Sequence, residues 1–115
     1  MSHKLTSNQS IIYNAETQAS GTLEIHAEQI IYQDDGGDYH NVMLQMPVKL
    51  SGSNEYVAGL NYNVTSEDWN TFFSSQTLVS TDEYDKQAEA CLNYAKTQID
   101  GRWGLTSSDW TYSNS

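Results

Sequence analysis

One cysteine and one proline are all that the 115 residues contain of either. With Cys91 alone no intrachain disulfide can form, so packing and hydrogen bonds must hold the fold. Basic residues are scarce as well: five Lys and Arg stand against fifteen Asp and Glu, a net charge of −10. That balance opposes binding to nucleic acid or to an anionic membrane surface, since both need basic patches. No apolar run approaches the ~18 residues of a membrane span, and residues 1–10 hold no apolar core of the kind a signal peptide carries. The expected location is therefore the cytoplasm, or a virion or other particle assembled there. Asn8-Gln9-Ser10 and Asn63-Val64-Thr65 match the glycosylation pattern, but without a secretion signal they read as chance.

Catalytic signatures are missing too. There is no Gly-rich phosphate loop, no nucleophile elbow and no H-x-x-x-H pair. His3, His26 and His40 are scattered, and one cysteine cannot build a structural zinc site. Cys91 falls on the apolar stripe of a helix, where a small buried hydrophobe is expected rather than a nucleophile. Glu24 and Glu28 fall on an open strand face, not in an apolar pocket that would tune them for acid–base work. Asp34-Asp35-Gly36-Gly37-Asp38 gathers carboxylates but lacks EF-hand spacing, so it reads as a hairpin turn rather than a cation site. The expectation is a protein that is not an enzyme and holds no cofactor and no metal.

Periodicity is plentiful. Leu23, Ile25, Ala27 and Ile31 alternate with Glu24, His26 and Glu28, the period-two mark of a half-buried strand. Val42, Leu44, Met46, Val48 and Leu50 form a second such run, and Tyr56, Ala58, Leu60, Tyr62 and Val64 a third. A two-residue loop at Gly36-Gly37 sets Ile31 against Val42, Ile25 against Val48 and Leu23 against Leu50. Glu24 then faces Lys49 on the other side of the sheet. A loop at Gly52-Ser53-Asn54 sets Leu50 against Tyr56, Met46 against Leu60 and Val42 against Val64. Every apolar set falls on one face, and a slip of one residue would scatter them. Ile11-Ile12-Tyr13 supplies a looser fourth strand, with Tyr13 against Leu23 and Ile11 against Ile25. Pro47 cannot donate in a ladder, and in this register it lies between His26 and Gly59, so a bulge is expected at that level.

The second half is helical in pattern. Thr65-Ser66-Glu67-Asp68 resembles an N-cap before Trp69, Phe72 and Phe73. Ser80 and Glu83 form a capping-box pattern ahead of a stripe of Tyr84, Ala88, Cys91, Leu92, Ala95 and Ile99. Gly101 is a natural stop. Thr106-Ser107-Ser108-Asp109-Trp110 echoes Thr65 to Trp69 as a further helix start. The fold class expected is α+β: a four-stranded antiparallel β-meander with one long C-terminal helix (about 81–100) packed on one face and a short helix near 67–74. Residues 1–115 form a single domain, with an N-terminal arm at 1–9 and an aromatic tail at 102–115 that either folds back or binds a neighbour.

Tyr32, Tyr39, Trp103, Trp110 and Tyr112 exceed what one small core needs, and Tyr and Trp favour contact patches between proteins. They are the candidate partner-binding residues. The functional expectation is a structural or adaptor subunit of a larger assembly, first a small tailed-bacteriophage virion protein of the neck, tail or baseplate. Its partners would be other protein subunits or further copies of itself, not nucleic acid or membrane. The alternative is a small acidic cytoplasmic binding or inhibitory protein engaging a basic partner. The third reading is a metal-dependent ligand binder or enzyme.

Overall fold

Strong alternation in residues 40–50 builds the strand on which the others are registered. The computed structural model describes residues 3–14, 16–34, 40–53, 55–99, 103 and 105–114, with the side chains of residues 33, 34, 40 and 107 outside the description. In chain order the elements are β1 (His3–Ser7), β2 (Ile11–Asn14), β3 (Ala19–Gly21), β4 (Leu23–His26), β5 (Gln29–Asp34), β6 (His40–Leu50) and β7 (Tyr56–Thr65). They are followed by α1 (Ser66–Ser75), α2 (Glu83–Gln98), a 3-10 turn (Ser107–Asp109) and β8 (Trp110–Asn114). The class is α+β: an antiparallel sheet with one longer and one shorter helix.

β6 pairs with β7 along one side and, along the other, first with β5 and then with β4. β4 in turn pairs with β1, and β1 with β8, giving a six-stranded sheet. Val42, Leu44, Met46 and Val48 all point to one side and are fully or almost fully buried there. Val42 stands opposite Val64, Leu44 opposite Tyr62 and Met46 opposite Leu60, as the alternation requires. Leu23 meets Leu50 and Ile25 meets Val48 in the expected register.

The meander itself is corrected at its outer strands. Ile11 and Ile12 do not pair with β4; they face Gly21 and Ser20 in a separate two-stranded hairpin, β2–β3. The place beside β4 belongs to residues 3–7, which sequence composition marks as an arm: Leu5 stands opposite Ile25, and its side chain is 0 % exposed. The aromatic tail supplies the next strand, with Tyr112 opposite Leu5 and Trp110 opposite Ser7. Polar His3 and Ser7 face inward on β1, so they mask its alternation. They are tolerated because each is hydrogen-bonded: Ser7 Oγ accepts from Leu23 N–H at 2.9 Å and donates to the Gln9 carbonyl at 2.9 Å.

Pro47 marks a break. It pairs in register with Gly59, but three residues, His26 to Glu28, oppose Met46 and Pro47 on the other side. A further irregularity between Val48 and Lys49 leaves Val57 as the extra residue on β7. A strand neighbour cannot bond to an N–H that proline lacks. The consequence is a one-residue slip in β5. Tyr32, not Ile31, stands opposite Val42, and Ile30 opposite Leu44, so Ile30 and Tyr32 take the helix side.

Two helices roof the buried face. α1 lies over β6 and β7, and α2 over β1 and β8. Thr65 caps α1, its Oγ1 accepting from Asp68 N–H at 3.2 Å. Asp82, rather than Ser80, caps α2, accepting from Tyr84 and Asp85. Ala88, Cys91, Leu92, Ala95 and Ile99 are buried as the stripe requires. Small residues at 88, 90, 91 and 95 let α2 lie close to the sheet. Thr106 and Asp109 do form a capped turn, with Thr106 N–H donating to Asp109 Oδ2 at 2.9 Å, but it opens a strand and not a helix. Gly36-Gly37, Asn54 and Gly101 lie outside the described residues.

Two outcomes follow. Leu5→Ala should destabilise the protein by about 2–5 kcal/mol in urea unfolding, because residue 5 is core and not arm. Cys91 is fully buried, and burial pushes its thiol up to about 12. Alkylation near neutral pH should therefore run at least about a thousandfold slower in the native protein than in guanidinium, since modification must wait for opening.

Candidate functional site

The slip in β5 sets a concave feature beside α2. Ile30 and Tyr32 leave the ladder facing the first turns of α2, and between them and the helix opens a cavity of about 370 Å³. Ala27, Ile30 and Ala88 supply apolar walls, while Glu28 and Gln87 add polar groups at the margin. Tyr32 and Tyr84 form its lips. The Tyr32 hydroxyl donates to Gln87 Oε1 at 2.5 Å, yet Tyr32 is 55 % exposed and Tyr84 74 %. Tyr84 begins the helical stripe in sequence, but it projects outward beyond the covered part of the sheet. Among the described residues β5 pairs with β6 alone.

A partly buried polar chain joins β1 and β8 to α2. His3 Nε2 donates to Asp85 Oδ1 at 2.9 Å, and His3 Nδ1 lies 2.8 Å from the Tyr112 hydroxyl. Asp85 Oδ1 is an acceptor, so Nε2 carries a proton, and Nδ1 meets the Tyr112 hydroxyl. The Tyr112 hydroxyl also lies 3.4 Å from Ser80 Oγ, which donates to Glu89 Oε1 at 2.7 Å. Glu89, 4 % exposed, takes the backbone N–H groups of Val79 and Ser80 as well, both at 3.0 Å. Its carboxylate thus holds the loop before α2. Burial pushes the Tyr112 hydroxyl above its ordinary range. The Ser80 contact pulls the other way, while the charges of Glu89 and Asp85 add to the rise. Every member is engaged with another, so the chain ties β1, β8 and α2 together rather than presenting a free nucleophile.

On the opposite face, Glu24 stands across from Lys49 in register, as expected. Its oxygens, however, are taken by Lys4, Ser51 and His26, each at 3.2 Å. Burial alone would raise this carboxyl. The Lys4 hydrogen bond and charge, with Ser51 and His26, outweigh it and hold the group below its ordinary 4.5.

The five candidate contact residues separate. Only Tyr32 is exposed at the groove. Trp103 is half-buried and tilted against Trp110, ring centroids 6.0 Å apart, and Trp110 is 4 % exposed. Tyr112 belongs to the partly buried chain, and Tyr39 lies outside the described residues. Composition missed Tyr84, because helical spacing counts it with the core stripe. His26 meets Glu24, His3 is buried, and His40 is described only in its backbone. The Asp35 to Asp38 turn lies outside the described residues, as does the side chain of Asp34. Among those described, no three His, Cys, Asp or Glu gather as a metal set, and no helix is long and apolar enough to cross a membrane. Comparison with known protein families, with curated proteins and with solved structures gave no match.

The Glu24 cluster makes an acid-side prediction. A carboxyl lowered in the folded state contributes stability that is complete above its unfolded value of 4.5 and is lost as pH falls through the folded value. The stability difference between wild type and Glu24→Gln, read from urea unfolding, should shrink between about pH 6 and about pH 3.

Proposed function

We propose that this protein is a docking module, a small structural or adaptor subunit that works by contact with another protein rather than by catalysis. One observation carries the reading: Tyr32 and Tyr84, both largely exposed, line an apolar groove beside a strand that, among the described residues, is paired on one side only. Tyrosine gives large, rigid contact area with a polar tip at low conformational cost, and such residues beside a pocket are the usual anchors of protein contacts. The two ends of the chain, expected to grip neighbours, are strands of the sheet. With residues 3–7 and 110–114 in the sheet, the reading puts partner contact on the folded surface.

The measurement is selection from a random peptide library displayed on phage, followed by titration of the winners against wild type and a Tyr32→Ala/Tyr84→Ala variant. Both side chains are exposed, so the variant should melt with the wild type to within about 0.5 kcal/mol. Winners should bind wild type and lose at least about tenfold in affinity on the variant, the effect of one contact anchor. Winners indifferent to both substitutions would overturn the proposal.

A further inference from the structure

We infer that the occupant of the groove is an extended, positively charged segment of a partner protein, which adds to β5 as a new strand. The inference rests on the docking reading and specifies its geometry. Ala27 donates its N–H to the His3 carbonyl at 3.0 Å, and there β1, as described, ends. Beyond it, among the described residues, Gln29 to Asp34 are paired on the β6 side alone. In an antiparallel strand every second residue turns its N–H and C=O to the same side, so the outer side of β5 carries a row of groups set for another backbone. Six residues span about 20 Å, enough to dock a comparable stretch of chain. Up to its terminal Asp34, β5 also lacks the usual guards of an edge. Gln29-Ile30-Ile31-Tyr32-Gln33 contains no Lys, no Pro and no charge. An added strand would send alternate side chains toward the helix side, where the floor between Ile30 and Ala88 and the tyrosine lips await them.

Charge selects the partner. Glu28 is the one charged residue in the groove's lining; exposed Glu83, which does not line it, lies in the first turn of α2, and Asp85 in the same turn is engaged by His3. Lys86 follows on the same helix but does not line the groove. A second copy is a poor occupant. It brings another −10, and only five basic residues, of which Lys4 is already held by Glu24. A strand carrying lysine or arginine between its apolar positions meets both the edge and the field.

The probes are nine-residue peptides in which Val, Ile or Tyr alternates with Lys, Glu or Gln, titrated against the full chain, with hydrogen exchange read at residues 29–34. The inference expects Lys-bearing peptides to bind at least tenfold more tightly than Glu-bearing ones. It expects N-methylation of alternate backbone amides to weaken them at least tenfold, and the amides of β5 to gain protection. Binding that depends on Tyr32 and Tyr84 but tolerates N-methylation, leaves β5 exchange unchanged or favours the Glu peptides would overturn the strand-addition inference while leaving the docking reading standing. A dimer of the chain that protects residues 29–34 would likewise overturn it, naming a second copy as the occupant. If neither these peptides nor any library peptide binds through the tyrosines, both fall together.

Discussion

The apolar side of β6 is the constraint on which everything else depends. Val42, Leu44, Met46 and Val48 leave water almost completely, each contributing about 1.5–3 kcal/mol of burial. Because side chains alternate with a period of two, that one row dictates the parity of every strand bonded to it, directly or through a neighbour. β7, β4, β1 and β8 each present their alternate residues to the same side, whether apolar, as Leu5, or polar, as His3 and Ser7. α2 adds its small-residue face, and α1 the aromatic face of Trp69, Phe72 and Phe73, where this surface would otherwise meet solvent.

Pro47 is the one point in β6 where the ladder cannot be uniform, and the neighbour on that level gains a residue. Parity is thereby inverted in β5, which carries Tyr32 to the helix side and leaves room between strand and helix. The groove is a downstream effect of one missing N–H on the β4–β5 side of β6. The partly buried polar chain from Asp85 through His3, Tyr112 and Ser80 to Glu89 makes the arrangement durable. It fixes the first turn of α2, which forms one wall of the groove, to β1 and β8. A polar network that is fully satisfied can sit inside a fold without penalty, and it locates its members more narrowly than apolar packing does.

Much of this was legible in residues 23–99, where alternation and helical spacing are strong. The registers of β6 on β4 and, from Val42 to Val48, on β7, the cap of α1 and the buried stripe from Ala88 to Ile99 follow from local pattern; the cap of α2 at Asp82 and the pairing of Tyr56 with Lys49, where Ser80 and Leu50 were expected, do not. The ends were not legible, for a physical reason. In β1 two of the three inward positions are polar, and their burial is made possible by Asp85, Tyr112 and Leu23, none of which is near in sequence. In β8 the alternation of Trp110, Tyr112 and Asn114 with Thr111 and Ser113 was a usable signal, obscured by the capped turn just before it. Of the groove, Tyr32 was found from exposure arguments, but Tyr84 was not. Helical spacing tells which residues share a face and is silent on where the sheet beneath that face ends.

A sheet with an unguarded edge must avoid pairing with itself. Natural proteins usually place lysine, proline or a bulge on the exposed strand, and β5 has none of these along Gln29 to Gln33. What the chain has instead is a global charge of −10. Repulsion between two such surfaces acts over about 8 Å at physiological ionic strength, far enough to oppose edge-to-edge approach before any backbone bond forms. On the proposed reading that guard would be conditional in a way that a proline is not: it would oppose a second acidic copy and favour a cationic strand. An edge left chemically plain on a charged body would then keep copies apart while staying open to a partner of opposite sign.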